Sequence, residues 1–568
     1  MVVNIMRELI KTYLCDIVRK LNPDFGGSVL VEISGNKQYG DYTTNIAFML
    51  SKITGESPQK IAENLVKGLN NELISLRETN RVVGKIENFN KIESVNGFVN
   101  FFLSDDYLRA ELGNILKQKN KYGFSKNEKR IKINIEFISA NPTGPLTIGN
   151  GRGGFYGDVL ANILESQGHQ VTREYYINDR GEQVLALGRS IKLAQNDLSI
   201  SETIPADTSS VSEIDKRGEE KIYKGEYIKE LAKEIDRDLN ESETGQKTLT
   251  LILKKYIKPA IKHLEIKFNV WFSEKTLYKG NNYAKIMEDL MRKDFIYPQD
   301  GATWMKTSEL GDSEDRVLIK SDGSETYFLS DILYHFDKFK IRKFDKAIDI
   351  WGADHHGYAP RLKAALAVLD IPKDNLEIII TQLARLVEGG KEVKISKRAG
   401  TFVTLEELIA EVGLDAARFF FLMYSPDTHM NFDMKIAKER SEKNPVYYAQ
   451  YAHARIASIL AKIKNQKLNL KITNKNLKLL KEKEELNLVR KLIEFPELLS
   501  EIAINYEVHR LPRYVLELAR EFHNFYEKEK VITEDKNLTA ARLGLVAATK
   551  VVLANSLNLM GITALDKM

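Results

Sequence analysis

Two stretches far apart in the chain carry residue types that can do chemistry. The first is SANPTGPLTIGNGRGG, residues 139–154, which follows the apolar run INIEFIS. Pro142 and Pro145 stiffen it, and Gly144 and Gly149 let main chain pass close to a ligand. A helix opening on Gly149, Gly151, Gly153 and Gly154 presents uncovered N–H groups and the positive end of its dipole, about half an elementary charge. A triphosphate is the natural guest there. A Gly-rich turn alone is equally consistent with a tight structural connection. The second stretch is GGKEVKISKRAGTFVTLEELI, residues 389–409, which sets Lys394, Lys397 and Arg398 beside Ser396, ahead of a helix start at Thr404. Cations on a loop hinged by glycines can close over a polyphosphate and stabilise charge as it develops. The plain alternative is a solvated basic turn.

Such loops need a scaffold. The 568 residues suffice for three or four domains at the usual ~100–200 residues each. Hydrophobic residues make up 43%, enough for real cores, and 84 basic against 79 acidic residues leave a mild net +5 that permits a nucleic-acid partner without demanding one. The single cysteine, Cys15, excludes an intrachain disulfide and a structural zinc site built on several cysteines, and fits a reducing cytoplasm. The first twenty residues include Arg7, Glu8, Lys11, Asp16, Arg19 and Lys20, so no signal peptide is expected, and no stretch approaches the ~20 apolar residues of a membrane span.

Residues 1–115 read as a small α/β unit containing SVLVEIS, GDYTTNIAFMLSK and VNGFVNFFLS. A second unit, 116–390, opens with a polar, basic linker and then alternates strands with helices: INIEFIS, a helix from about Gly151 to Gln167, HQVTREYYIND, KAIDIWGAD, APRLKAALAVL and LEIIITQLARLV. That alternation predicts a Rossmann-like, doubly wound parallel sheet. In the first helix Phe155, Val159, Leu160, Ile163 and Leu164 are expected to form one face packed on the sheet. A charged, mostly helical insertion interrupts at about 190–290, residues 391–440 carry the lysine loop, and 441–568 read as an all-α helical bundle. The fold class is therefore α/β with an α/β N-terminal domain and a helical C-terminal domain.

Taken together, the motifs resemble class I aminoacyl-tRNA synthetases, and the arginyl branch in particular. SANPTGPLTIGN is similar to that family's first signature loop, and KISKR to its second, with Ile395 where methionine is usual. TYFLSDILYHFDKF, DIWGADHHGYAPRLKAAL, VKISKRAGTFVTLEEL and GDYTTNIAF resemble the arginyl branch. The resemblance spans essentially the whole chain and implies ATP, Mg2+, L-arginine and tRNA(Arg) as ligands. It implies an N-terminal domain on the tRNA elbow, a stem-contact segment after KISKR, and an anticodon-binding bundle. The first loop departs from the family's His-x-Gly-His, having Thr147-Ile148-Gly149-Asn150. The lost task is donation to phosphate oxygens, not proton abstraction, because a carboxylate nucleophile needs no base. Thr147 and Asn150 can still donate, though neutral donors are roughly half as strong as charged ones. Catalysis is thus assigned to Asn150, Thr147, Lys394 and Lys397, and ATP contacts to Gly149, Gly151, Gly352, Asp354, His355 and Ser396.

By the same resemblance Glu136, Asn141, Tyr327 and Asp331 line the amino-acid pocket. Tyr327 and Asp331, four residues apart, can share one face of a helix, and a guanidinium fork suits a carboxylate. Adjacent His355 and His356 point apart, so no metal site is expected there. Tyr447, Tyr448 and Tyr451 precede seven lysines between residues 461 and 481, a combination that suits stacked bases and phosphates as well as a core beside a solvated face. The leading expectation is arginine activation and transfer to tRNA by a cytoplasmic monomer. A catalytically impaired paralogue that only binds RNA is the alternative.

Overall fold

The computed structural model describes residues 6–22, 25–78, 88–125, 130–196, 222–353, 357–389, 391–392, 404–465 and 471–568. The N-terminal unit pairs β1 (Glu32–Ile33), β2 (Tyr42–Thr44), β3 (Phe89–Val95) and β4 (Phe98–Leu103) in the order β1-β2-β4-β3, all antiparallel. Asn96 (φ 50°) and Gly97 (φ 83°) close the β3–β4 hairpin, both in the left-handed region that a two-residue turn requires. Helices Met6–Leu21, Ile46–Thr54 and Pro58–Glu78 accompany the sheet. The GDYTTN motif reaches out of this unit. Asp41 accepts from Arg490 Nε at 2.9 Å, and the buried Tyr42 hydroxyl donates to Glu497 at 2.9 Å, so the motif ties the N-terminal domain to the bundle.

The central sheet consists of β5 (Lys132–Glu136), β6 (Gln170–Ile177), β7 (Val270–Ser273), β11 (Lys346–Gly352) and β12 (Leu376–Thr381), parallel throughout, in the order β12-β11-β5-β6-β7. The chain enters at β5, winds out to β7, and returns to β11 on the other side. The crevice at the carboxyl ends of β5 and β11 is therefore the switch point, where such sheets take ligands. β7 lies inside the stretch that reads as helical insertion, yet it is an edge strand of this sheet. Its four residues, VWFS, are too few to show a period among the flanking charged helices. Next come β8 (Ile296–Gln299), β9 (Ala302–Met305) and β10 (Arg316–Ile319), a small antiparallel sheet that the sequence pattern did not announce. LEIIITQLARLV is not one strand: after β12 the chain turns and starts β13 (Ala384–Glu388), which pairs with β14 (Lys391–Glu392) and, in parallel, with β15 (Met430–Asp433).

The C-terminal bundle contains helices Pro445–Asn465, Lys483–Ile493, Phe495–Asn505, Arg510–Lys528 and Lys536–Leu559. The last is long and apolar enough in composition to cross a membrane, but 67% of its most apolar window is buried inside the protein, as suits the core helix of a bundle. One hydrophobic core runs continuously from the N-terminal unit through the central sheet into the bundle.

Candidate active site

Immediately after β5 the backbone is forced into an uncommon turn. Ile138 (φ 65°) and Ser139 (φ 36°) both lie in the left-handed region, and the Ser139 N–H donates back to the Phe137 carbonyl at 2.9 Å. For a β-branched residue this conformation costs of the order of 1–3 kcal/mol, strain that concentrates where structure serves function. Three bonds hold the turn and its loop. Ser139 Oγ accepts from Tyr176 N–H (3.0 Å), and the Tyr175 and Tyr227 hydroxyls donate to the carbonyls of Ala140 and Thr143 (2.8 Å each).

The helix Ile148–Ser166 then starts on a reciprocal cap. Thr147 donates to Asn150 Oδ1 twice, from its N–H at 2.8 Å and its hydroxyl at 3.1 Å. The amide oxygen of Asn150 is thereby fixed, and its Nδ2 makes no hydrogen bond among the described residues. Thr147 and Asn150 thus set the helix start and leave one neutral donor pair beside exposed Gly149. Asn150→Asp tests that division of labour, since the carboxylate keeps the cap but cannot donate. Steady-state kinetics are expected to show about a tenfold fall in kcat with the thermal midpoint little changed, the worth of one neutral hydrogen bond.

This helix is not amphipathic in the way its sequence implies. Fourteen of its residues are buried, on every side. Glycines make that packing feasible: a Cβ on Gly151 would sit 2.6 Å from Leu405 Cδ1, and one on Gly157 2.4 Å from the Phe137 ring. Gly151 therefore makes room for the neighbouring helix Leu405–Val412. The buried Arg152 donates to the carbonyls of Gln382 (2.8 Å), Ser425 (2.7 Å) and Thr428 (2.5 Å), and the fully buried Arg418 bridges Asp158 (2.8 Å), Leu264 O (2.6 Å) and Met560 O (3.1 Å).

Residues Lys394, Ser396 and Lys397 lie outside the described residues, as do Asp354 and His355. The anchors of the lysine loop are described. On its entry side, Glu388 of β13 pairs with Lys391 of β14. On its exit side, Thr404 bridges antiparallel to Thr147, and Leu405 N–H donates to Leu146 O at 3.0 Å. A capping box at Thr404 and Glu407 starts the next helix at that point. The end of the second chemical stretch is thus bonded, backbone to backbone, to the first.

Beside the loop, at the carboxyl end of the sheet, acidic groups converge. Glu136 ends β5 and is buried; Asp331 lies on the helix Tyr327–Phe336 and accepts from the Tyr358 hydroxyl at 2.5 Å; Glu274 follows β7 and takes the Ser330 hydroxyl at 3.0 Å. The second oxygen of Glu274, Oε2, is buried without a partner among the described residues, and burial pushes this carboxyl up to about 7. All three acids surround the Tyr176 phenol, which burial and their charges raise far above its ordinary value. Tyr327 is 60% exposed at the start of its helix, Asn141 is exposed on the loop, and Gly352 is the exposed last residue of β11. Sequence reasoning missed Glu274 and Tyr358. Glu274 sits at the end of the strand taken for insertion, and Tyr358 stands in the very motif, GADHHGY, whose histidines drew attention.

On the bundle, Tyr447 stacks on Tyr451 (6.3 Å between centroids, 7° between planes), His523 lies 6.2 Å from Tyr451 and 5.2 Å from Tyr448, and the Arg455 guanidinium covers Tyr451 at 4.9 Å. Tyr451 is 37% exposed, so this is a partly solvent-facing aromatic surface with a cation upon it.

Three family models together match nearly the whole chain. Residues 4–103 match the arginyl tRNA synthetase N terminal domain, residues 111–458 the class I (R) tRNA synthetase catalytic domain, and residues 449–568 the DALR anticodon binding domain. The chain belongs to the arginyl-tRNA synthetase family. Among curated relatives, the arginine--tRNA ligase of Aquifex aeolicus is 39% identical, covering 99% of this chain and 100% of its own, and that of Listeria welshimeri is 42% identical, covering 95% and 94%. The solved Thermus thermophilus arginyl-tRNA synthetase superposes with a TM-score of 0.75 at 20% identity, over 99% of this chain and 100% of its own, a likeness of fold. The Rossmann-like sheet of this synthetase and its flanking domains are thus those of the family. The turn from Thr147 to Asn150 lies within the stretch matched by the catalytic-domain model.

Proposed function

We infer that this synthetase activates L-arginine with ATP and transfers it to the 3′ end of tRNA(Arg). The observation that supports this reading is the Thr147–Thr404 pairing, which joins the exit of the second stretch to the first at the switch point, near the carboxylates of Glu136, Asp331 and Glu274. In the first step the arginine carboxylate attacks the α-phosphorus, the bond to the β-phosphate oxygen breaks, and pyrophosphate leaves. In the second, a ribose hydroxyl of the tRNA terminus attacks the carbonyl carbon and AMP leaves. Gly149, Asn150 and the helix N-terminus hold phosphates, Lys394, Lys397 and Ser396 add the contacts of the second stretch, and Gly352, Asp354 and His355 meet the adenosine. Mg2+ enters with the phosphates of ATP; among the described residues no group of three or more His, Cys, Asp or Glu gathers to hold a metal. Glu136, Asp331 and Glu274 meet the guanidinium, with Asn141 and Tyr327 at the rim. Tyr447, Tyr448 and Tyr451 stack on anticodon bases, and the N-terminal domain meets the elbow. The enzyme acts as a cytoplasmic monomer. The impaired-paralogue alternative finds no support in the relatives, which carry the name of the active ligase.

Charging of total tRNA with labelled arginine, with lysine and citrulline as controls, tests the assignment; charging by citrulline at a rate near that of arginine, or none by arginine, would overturn it. Glu274 adds a pH signature. Its carboxyl titrates at about 7 because it is buried, with Ser330 and Arg180 opposing that rise and Asp331 and Asp179 adding to it. A guanidinium favours the ionised form, so below that pH arginine binding must first expel a proton. The arginine KM is expected to fall up to about tenfold between pH 6 and pH 8, while the ATP KM stays level. Glu274→Gln should abolish the slope, as measured by arginylation kinetics across that range.

A further inference from the structure

Beneath the arginine pocket lies a layer of buried charge of which the reaction scheme uses only Glu136. Asp349 on β11, Glu136 on β5 and Glu174 on β6 are direct neighbours across three strands, in register and on one face of the sheet. Three such carboxylates side by side are untenable without cations. The helix Tyr327–Phe336 supplies them through a π-turn, Asp337–Ile341, whose extra residue per turn is marked by the Arg342 N–H donating to Asp337 O at 2.9 Å. Lys338, fully buried, places its ammonium 2.8 Å from Glu136 Oε2 and 2.7 Å from Asp349 Oδ1, over the Tyr334 ring at 4.2 Å. Arg342 pairs with Glu174, which also accepts from the Tyr334 hydroxyl at 2.5 Å. The two ring nitrogens of His335 lie 2.7 Å from Asp331 O and 2.7 Å from Asp349 Oδ2, tying the helix to β11. Arg342 also pairs with Asp337 at 2.5 Å, so Lys338 and Arg342 each hold two carboxylates of this layer.

We propose that Lys338 is a positioning residue for arginine recognition: clamped between Asp349 and Glu136, its ammonium keeps Glu136 ionised and holds Oε2, so that Oε1 is the oxygen offered to the guanidinium. This rests on the reading that Glu136 meets the guanidinium. Glu136 Oε1 has no donor among the described residues, whereas Oε2 is taken. Burial lifts the Glu136 carboxyl above its ordinary value even with Lys338 opposing, while Asp349, which burial also pushes up, is brought down to about 2 by Lys338 and His335. The other ionisable groups facing Glu136 are Tyr334 from the helix, and Glu174 and Tyr176 from β6. None of them can replace the lost cation. Without Lys338, Glu136 must take up a proton and turn from acceptor to neutral acid at neutral pH.

The test is arginylation kinetics of Lys338→Met, and of Lys338→Gln as a neutral donor of similar length, between about pH 6.5 and pH 9. The arginine KM is expected to rise at least ~10-fold at neutral pH and to recover toward the alkaline end, because an unpaired buried carboxyl titrates several units high. The ATP KM should stay within about twofold, and discrimination against citrulline should shrink. Asp349→Asn loosens the layer but leaves the ammonium on Glu136. It should lower the thermal midpoint while keeping the arginine KM within about threefold, and it decides the matter should both Lys338 variants prove insoluble. An unchanged arginine KM in the Lys338 variants, a pH-independent rise shared with ATP, or an equal rise in Asp349→Asn would overturn the proposal. Glu136→Gln separates the two layers of inference. An unchanged arginine KM there removes Glu136 from the pocket, whereas a raised one beside normal Lys338 variants removes only the role of Lys338.

Discussion

Lys397→Ala is expected to slow tRNA arginylation at least ~100-fold in kcat with the protein fully folded, the loss seen when a charged transition-state donor is removed. The reason lies in what the first loop lacks. With Thr147 and Asn150 in place of two histidines, the described side of the ATP site offers neutral donors: the Asn150 Nδ2 and the uncovered N–H groups of the helix start. On the proposed reading, charge developing on the α-phosphate and the departing pyrophosphate falls to the cations of the second stretch, whose exit end is bonded to Thr147. The measurement is kcat and KM for ATP by single-turnover and steady-state arginylation. Lys397→Arg should restore part of the rate, since it keeps the charge. An alanine variant retaining near-full kcat would show that the loop does not act in the chemical step.

Asp331→Ala is expected to raise the arginine KM at least ~100-fold with the ATP KM nearly unchanged. Hydrogen bonds to charged groups contribute about 1.5–3 kcal/mol each, and a carboxylate facing a guanidinium can accept two of them. Asp331 is well placed for that role because it is held from the side. Tyr358 donates to its Oδ2 at 2.5 Å, and its own carbonyl takes the His335 ring, so the carboxylate is oriented before the ligand arrives. Lysine, a point charge without the fork, gains little from the same arrangement. Arginine titration of the variant by steady-state kinetics and by isothermal calorimetry checks the expectation, and unchanged affinity would take Asp331 out of the pocket.

The local chemistry of the first loop and the helix start after the second were legible in the chain. The Pro/Gly pattern of residues 139–154 and the helix start at Thr404 rest on short-range rules of backbone geometry, and those rules act in the same way in any fold. The four-residue spacing of Tyr327 and Asp331 places both on one helix, for the same reason. The helix Ile148–Ser166 shows where such rules stop. Its apolar positions suggested one buried face, but the sheet, the helix Leu405–Val412 and the bundle surround it, and its glycines serve close packing between elements distant in sequence. Strand β7 was hidden because four residues give no period, and with it went Glu274, whose orphaned oxygen has meaning only beside Ser330 and Asp331.

The sequence by itself determined the alternating α/β order, the helical C-terminus and the family resemblance, because periodicity and turn chemistry are properties of neighbours along the chain. Only the tertiary structure decided that Thr147 bonds to Thr404, that Tyr42 clasps the bundle, and that Glu136 shares a buried lysine with Asp349. Those pairings depend on burial and on strand register. A charge that looks solvated in the chain becomes an acid needing a cation once three strands and a π-turn exclude water around it.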